Sequence, residues 1–154
     1  MAKYFFKKIV SKKIFVKSSS LADETFVRDL RNNKKLRKIN FLKKKVSEKE
    51  HHGWFTGLLE KNYSYTIFLG GTKVGHIRFE RTKPGIFLIG LAFLPKYSGQ
   101  GIGPVALKKA FVELRKKEPC AEIIAEVRIS NLPAQKFFLK VGFKPDYFVY
   151  KIKI

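Results

Sequence analysis

Three glycines at alternate positions, Gly99, Gly101 and Gly103, lie between an apolar stretch and the start of a predicted helix. Glycine has no Cβ atom, so a ligand can approach the backbone of such a loop closely. The helix that follows has N–H groups without intrahelical partners at its first turn, together with the positive end of its dipole. Pro104 suits that turn, because the N–H group that it lacks would have no partner there. The loop therefore indicates a phosphate-binding site.

Other glycine-rich phosphate loops fit this stretch less well. A Walker-type loop ends in Gly-Lys-Ser/Thr, and no such triplet follows these glycines. Residues 101–106 match the degenerate dinucleotide fingerprint Gly-x-Gly-x-x-Gly/Ala. However, they lie far from the preceding strand, and too few residues follow them for a second nucleotide-binding half. A plain strand-to-helix turn remains open on the loop alone.

A second motif downstream makes the interpretation specific. Residues 98–103 (Ser-Gly-Gln-Gly-Ile-Gly) are similar to the Arg/Gln-x-x-Gly-x-Gly/Ala motif of the GNAT acyl-CoA N-acyltransferases. Residues 131–143 (Asn-Leu-Pro-Ala-Gln-Lys-Phe-Phe-Leu-Lys-Val-Gly-Phe) resemble the Asn-x-x-Ala-x-x-Phe-Tyr-x-x-x-Gly-Phe motif of the same family. With the strand before the loop included, the resemblance covers residues 86–143. It implies an acyltransferase that uses acetyl-CoA as co-substrate and no metal.

The resemblance also implies the fold and the coenzyme-binding residues. The expected fold is α/β (α+β), with helices on both faces of a mixed, mostly antiparallel sheet of about six to seven strands in the order β-α-α-β-β-β-α-β-α-β. In that family the loop amides bind the pyrophosphate of acetyl-CoA, and the backbone of the preceding strand binds the pantetheine arm. The implied cofactor-binding residues are Leu91, Ala92, Phe93, Gly99, Gln100, Gly101, Ile102, Gly103, Pro104, Asn131 and Phe138.

The strand before the loop has the composition of a central strand. Residues 86–94 contain no charged side chain, so both faces of this strand should be covered. A backbone that binds a ligand must part from a neighbouring strand, typically at a bulge or a splay. Gly90 and Pro95 lead us to expect such a break there.

Two positions depart from the family pattern. Ser98 replaces the usual Arg or Gln, so a long phosphate donor is lost and Lys96, Gln100, Lys108 or Lys109 would have to compensate. Phe138 replaces the tyrosine that often serves as the general acid, and phenylalanine has no proton to donate to the departing thiolate. Water would then protonate the thiolate, or the protein is a catalytically silent acyl-CoA-binding module.

The first half of the chain carries a second resemblance. Leu30-Arg31-Asn32 and Ser47-x-x-Glu50-His51-x-x-Trp54-Phe55 are similar to amino-sugar N-acetyltransferases of bacterial glycan pathways, including those that act on nucleotide-linked sugars. A similar run occurs in ribosomal-protein-type N-terminal acetyltransferases, so both acceptors stay open. The substrate-binding candidates are Arg31, Asn32, His51, Trp54 and Arg78. The alternatives are that Trp54 anchors its helix to the sheet with His51 at the rim, and that Arg31 caps a helix.

One predicted strand, residues 72–81, places His76, Arg78 and Glu80 on one face by alternation. That polar face lies either against solvent or against the acceptor. In the second case His76 or Glu80 would accept a proton from the attacking ammonium, and Arg78 would bind an anionic group. His76 and Glu80 are therefore the candidate catalytic residues.

The composition restricts the partners. The 154 residues have a formal net charge of +21, carried mainly by lysines spread over the whole length. This spread indicates either a general bias in amino-acid usage or a positive electrostatic field that attracts polyanions such as coenzyme A, a nucleotide-linked sugar or nucleic acid. Nucleic-acid binders more often cluster arginine and aromatic residues on one face, so nucleic acid is the disfavoured partner.

Length and a hydrophobic fraction of 45% predict a single domain over residues 1–154. The lone Cys120 excludes an internal disulfide. Lysines interrupt the apolar pieces near the N terminus, so neither a signal peptide nor a membrane span is predicted, and we expect a cytoplasmic monomer or homodimer.

The remaining elements follow from periodicity and turn residues. Before the loop we predict an edge strand in 3–17, a helix over 21–31, an irregular basic segment over 32–46, a helix over 47–61 and a hairpin of 63–69 and 72–81 across Gly70-Gly71. The basic segment is expected to contact the core through Phe41 and Leu42. After the loop we predict a helix over 103–118, a strand over 121–128, a helix over 131–141 and a closing strand pair around 143–153.

Overall fold

The computed structural model of the protein describes residues 13–39, 44–147 and 152. Five strands in these residues form one sheet in the order β1-β2-β3-β4-β5. Neighbours are antiparallel from β1 to β4, and β5 runs parallel to β4. The predicted mixed, mostly antiparallel sheet is confirmed, with five strands in the described residues. The strands are β1 Ile14–Ser18, β2 Tyr63–Leu69, β3 Thr72–Lys83, β4 Ile86–Phe93 and β5 Glu122–Ile124.

Five α-helices and two short 3-10 helices, Leu21–Asp23 and Pro95–Tyr97, accompany the sheet in the described residues. Helix α3 begins with the predicted capping box, in which Ser47 and Glu50 each bind the backbone N–H of the other. The α-helices are α1 Glu24–Asn32, α2 Lys34–Ile39, α3 Glu48–Lys61, α4 Ile102–Lys117 and α5 Leu132–Lys140.

The structure differs from the sequence prediction at three places. Helix α2 lies in the segment predicted to be irregular, because the Asn33 side chain accepts hydrogen bonds from the N–H groups of Lys35 and Leu36 and caps the helix. The strand predicted over 121–128 is limited to β5. Residues 143–147 form no strand, and the rest of the predicted closing pair, like Phe41, Leu42 and residues 3–12, lies outside the described residues.

Helices cover both faces of the sheet, as predicted. Helix α4 covers the face that carries Ile77, Phe79 and Phe87, and these residues form a cluster with Ile102 and further buried side chains of α4. On the opposite face α1 and α3 pack through Val27, Phe55 and Leu58. The two-residue period of a strand assigns alternate side chains of β3 to these two helical layers.

The α1/α3 side of the sheet contains a buried polar layer. Ser64 and His76 are hydrogen-bonded across β2 and β3, with 2.8 Å between Ser64 Oγ and His76 Nε2. Ser19 and Thr66 are joined by a hydroxyl–hydroxyl bond of 3.0 Å. Buried polar groups are tolerated when they are paired in this way. This sheet face therefore carries paired polar side chains under its helices, whereas the α4 face carries an apolar core.

Asn32 holds the end of α1 against the segment before α3. Its Nδ2 donates to the carbonyl oxygen of Val46 and its Oδ1 accepts from the Val46 N–H, each over 2.9 Å. Both ends of the side-chain amide are thus used by the backbone. Asn32 thus has a structural role at the end of α1, and a substrate contact by it stays a prediction.

Replacing Asn32 by Ala should lower the free energy of unfolding by about 1–2 kcal/mol, since two partly buried backbone groups of Val46 lose their partner. Urea unfolding followed by circular dichroism measures the change. Lys35→Ala, an exposed residue on the neighbouring helix, serves as control and should change stability by less than about 0.5 kcal/mol. Equal stability of Asn32→Ala and wild type would contradict this role.

Candidate coenzyme-binding and acceptor site

The glycine loop between β4 and α4 contains two residues in the left-handed region. Gly99 has φ +75° and Gly101 has φ +76°, and Gly101 is the N-cap of α4. Other residues adopt this conformation only at a cost of about 1–2 kcal/mol, so glycine suits both positions. A Cβ atom at either position would meet no described atom within 4 Å. These two glycines therefore leave the inner side of the loop open to a ligand.

Gly103 has a different reason for being glycine. A Cβ atom here would lie 2.8 Å from Cε2 of Phe137 and 3.5 Å from Cε2 of Phe93. The absent side chain thus gives room to the Phe137 ring and lets α5 pack against the start of α4. The prediction that all three glycines serve ligand approach is corrected at this one position.

The backbone N–H groups of the loop point to an anion site. Among the described residues, no acceptor takes a hydrogen bond from the amides of residues 99–103. The third helical residue, Pro104, has no N–H group to satisfy. Unpaired amides at a helix N-terminus, with glycines that admit a ligand, are the arrangement that binds phosphate. The residues present therefore fit the pyrophosphate of coenzyme A.

Only some of the side chains predicted to replace the Arg or Gln donor, which is Ser98 in this chain, are available to a phosphate. Gln100 Nε2 donates to the carbonyl oxygen of Lys96 over 2.7 Å and so braces the loop itself. Lys109 Nζ donates to the carbonyl oxygen of Ile14 over 2.6 Å, on β1. Both side chains are committed within the protein, which leaves Lys96 and the exposed Lys108 as candidates for a phosphate contact.

Strand β4 opens towards the loop. β3 pairs with it along its whole length, from Ile86 to Phe93, without interruption at Gly90. β5 pairs only with Ile86, Phe87 and Leu88. From Ile89 onward the other edge of β4 has no strand neighbour among the described residues. The expected splay is present, but it arises because β5 ends early and not from a bulge at Gly90 or Pro95. Leu91, Ala92 and Phe93 lie on this open stretch.

Helix α5 packs beside the glycine loop through Phe137. Asn131 caps this helix, since its Oδ1 accepts from the N–H of Ala134 over 3.2 Å. Phe138 packs edge-on against Phe137 and Phe143, with ring centroids 5.2 and 5.0 Å away. Both residues thus have structural roles beside the loop, and coenzyme contacts by them remain predictions.

Trp54, Arg78 and Glu80 meet on the α1/α3 face of the sheet. The Arg78 guanidinium lies 5.5 Å from the Trp54 ring centroid, and its Nε donates to Glu80 Oε1 over 2.5 Å. Trp54 is 37% exposed. Arg31 at the end of α1 belongs to the same region: burial lowers its pKa, and the positive charges of Arg78 and Arg37 lower it further. The structure therefore brings together three of the five predicted substrate-binding residues.

His51 does not belong to an accessible acceptor surface. Its ring is 2% exposed and stacks on Phe55 with centroids 5.6 Å apart, and burial lowers its pKa. The prediction that it binds substrate is wrong here, because the ring is enclosed between helix and sheet. The alternative with His51 at the rim is wrong as well, since Trp54 is the exposed residue of the pair.

The assignment of His76 as a general base is also wrong. The side chain is buried between β3 and α3, and its Nε2 is engaged with Ser64. Burial lowers the pKa of His76 to about 3, with a smaller contribution from the charge of Arg78. A neutral, enclosed imidazole of such weak basicity cannot collect a proton from an incoming amine. Of the two candidate bases, Glu80 alone is on the accessible surface.

Residues 27–143 match the acetyltransferase (GNAT) family. The chain belongs to the GNAT family. The predicted membership of this family is thereby confirmed. No helix among the described residues combines the length and apolarity needed to cross a membrane. Nor do those residues contain a cluster of three or more His, Cys, Asp or Glu suited to a metal ion.

Individual relatives of this GNAT chain differ in their acceptors. A Bacillus subtilis protein provisionally described as a [ribosomal protein bS18]-alanine N-acetyltransferase is 31% identical over 90 residues, which are 57% of this chain and 59% of that protein. The chain thus spans less than two thirds of that relative's length.

Two solved structures show the same fold. The spermidine N-acetyltransferase from Vibrio cholerae, in complex with CoA and spermine, has a TM-score of 0.79 at 13% identity and covers 93% of this chain and 88% of its own. A ribosomal L7/L12 alpha-N-protein acetyltransferase with coenzyme A has a TM-score of 0.73 at 18% identity, over 87% and 81% of the two chains. At these identities the likeness establishes the fold alone.

Gly101→Glu should weaken coenzyme A binding by about 10²-fold or more, since a carboxylate would face the pyrophosphate. Isothermal titration with CoA measures the affinity. Gly85→Glu is the matched control, because Gly85 also has a left-handed φ, +74°, with open space around it, but lies in the β3–β4 turn. Both variants should lose similar stability, and only Gly101→Glu should lose CoA. Retained affinity in Gly101→Glu would place the coenzyme elsewhere.

Acidification should destabilise the protein through His76. The folded pKa of His76, about 3, lies below the unfolded value of 6.5, so the unfolded state takes up the proton first as pH falls below 6.5. At pH 5 this should cost about 2 kcal/mol relative to neutral pH. Urea unfolding at pH 7 and pH 5 tests it against His76→Gln, whose pH dependence should be smaller by that amount. An identical pH dependence in both proteins would refute the effect.

Proposed function

We propose that the protein transfers an acetyl group from acetyl-CoA to a primary amine of an amino sugar or nucleotide-linked amino sugar, by direct attack in a ternary complex. The observation that carries the proposal is that the amides of residues 99–103 have no partner among the described residues and lie beside the open edge of β4. This arrangement supports a coenzyme whose diphosphate lies on the loop and whose thioester lies along Leu91, Ala92 and Phe93. Acetyl-CoA supplies the activated acyl group, and direct transfer needs no covalent enzyme intermediate.

On this proposal the chain contributes mainly position and preorganised charge. The backbone N–H near Phe93 stabilises the oxyanion while the amine nitrogen attacks the carbonyl carbon and the C–S bond breaks. Glu80 accepts the amine proton directly or through water. Its backbone pairs with Leu88, the last β4 residue bonded to β5, so Glu80 lies where the two strands part. Water protonates the thiolate, because Phe138 has no proton to donate.

The acceptor assignment rests on the α1/α3 face beside β4. Trp54 offers a flat, partly exposed ring to a sugar or base, and Arg31 and Arg78 offer positive charge to a phosphate. We further propose that the enzyme acts in the cytoplasm as a monomer or homodimer. A protein N-terminus is the second candidate acceptor, favoured by the likeness to the Bacillus subtilis relative.

Release of free CoA from acetyl-CoA, followed with a thiol reagent, tests the proposal against amino sugars, nucleotide-linked amino sugars and peptides with an N-terminal alanine. We expect turnover on the sugar amines. Glu80→Gln should lower kcat by about 10²-fold with little change in the KM of acetyl-CoA. Glu113→Gln, which changes a partly exposed carboxylate on α4, should leave kcat unchanged.

Two outcomes would contradict the proposal. Turnover confined to the peptides would assign the protein terminus as acceptor. Thermal stabilisation by CoA without turnover on any amine would favour a silent acyl-CoA-binding module.

A further inference from the structure

The guanidinium group of Arg78 is held on three sides. The Trp54 ring lies over it, with the ring centroid 5.5 Å from Cζ. Glu80 binds its Nε over 2.5 Å. Across the sheet Arg78 is paired with Gly90, where an added Cβ atom would lie 2.1 Å from Nη1 and 2.3 Å from Cζ. The guanidinium thus occupies the space that any other residue at position 90 would fill.

This packing leaves the Nη1 and Nη2 groups of Arg78 available to a ligand. Within the described part of the chain, Nε makes the hydrogen bond of Arg78, and neither Nη1 nor Nη2 donates to a protein acceptor. The side chain is 33% exposed. A guanidinium offers parallel N–H groups that match two oxygens of a carboxylate or phosphate. Because Trp54, Glu80 and Gly90 already restrict the side chain, little rotamer freedom is left to lose when an anion binds.

The surroundings of Arg78 are positively charged. Arg78 and Arg37 both act on Arg31 by like-charge repulsion, so three guanidinium groups share this region. Glu80 is the carboxylate in contact with Arg78. A ligand with an anionic group gains from this field, whereas a polycationic amine is repelled by it.

We propose that Arg78, seated between Trp54 and Gly90, is the anion-binding residue of the acceptor site, and that the acceptor amine carries a phosphate or carboxylate group. This inference rests on the proposed acetyltransferase function and narrows its substrate class. Glu80 receives the ammonium end of such an acceptor while the Nη groups of Arg78 bind its anionic end. Polycations such as spermidine are poor ligands of this site, in contrast to the Vibrio cholerae protein that shares the fold.

The fluorescence of Trp54 reports on ligand binding at Arg78, because Trp54 is the single tryptophan of the chain and contacts Arg78 directly. Its fluorescence is followed while the CoA-saturated protein is titrated with two matched pairs, glucosamine 6-phosphate with glucosamine and UDP with uridine. The members of each pair differ in their phosphate, and the two pairs distinguish a sugar phosphate from a nucleotide diphosphate. Saturating CoA occupies the loop, so that the added phosphate is read at Trp54.

At least one phosphate-bearing ligand should bind about tenfold or more tightly than its phosphate-free partner. Arg78→Gln should abolish that preference. Gly90→Ala should reduce it although the charge is kept, because the added methyl group displaces the guanidinium. Gly57→Ala is the control, since this glycine lies on α3 near Trp54 with open space at its Cβ position, and it should behave as wild type.

Three results would overturn the inference. The first is equal binding of both members within each pair, which includes no binding at all. The others are an undiminished phosphate preference in Arg78→Gln and tighter binding of spermidine than of the phosphate-bearing ligands. Turnover distinguishes this failure from failure of the proposed function. If sugar amines are acetylated but phosphate gives no advantage, the anion site is wrong and the transferase stands. If phosphate binding depends on Arg78 but no amine is acetylated, the transferase is wrong and the anion site stands.

Discussion

Backbone N–H groups that find no acceptor inside a protein must find one outside it, and this constraint organises the candidate site. The amides of residues 99–103 lie just before α4 and in its first turn, and none of them has an acceptor among the described residues. Gly99 and Gly101 adopt the left-handed conformation that turns the chain into the helix. Beside them β4 has lost its β5 neighbour. Polar backbone groups are therefore available on both sides of the 3-10 helix Pro95–Tyr97, at the strand edge and in the loop, which suits a long coenzyme.

The two faces of the sheet have different roles. The α4 face is an apolar core that holds the helix start in place behind the loop. The α1/α3 face carries paired polar side chains, and it leaves Trp54, Arg78 and Glu80 partly accessible to solvent. The candidate coenzyme loop thus leads into the helix on one face of the sheet, and the candidate acceptor surface lies on the other face. The proposed acyl transfer takes place at the opening between β4 and β5.

Several features were readable from the sequence because they depend on near neighbours. The capping box of Ser47 and Glu50, the hairpin across Gly70 and the helix after the glycine loop follow from local hydrogen bonds and backbone preferences. Helix α2 was missed because the capping by Asn33 is a weak signal in a basic segment. The reason for Gly103 was also hidden, since Phe137, against which it packs, is distant in sequence.

The sequence by itself determined the family, the position of the glycine loop before α4 and the alternation of His76, Arg78 and Glu80 along one strand. It could not separate the roles of these three side chains, because alternation states which face a residue lies on and not how deeply the helices cover it. Only the packing of α3 against β3 buried His76 and lowered its basicity, while the same helix left Arg78 partly exposed beneath Trp54. Burial and pairing with distant residues are properties of the assembled chain, and they decided which polar groups remain available for chemistry.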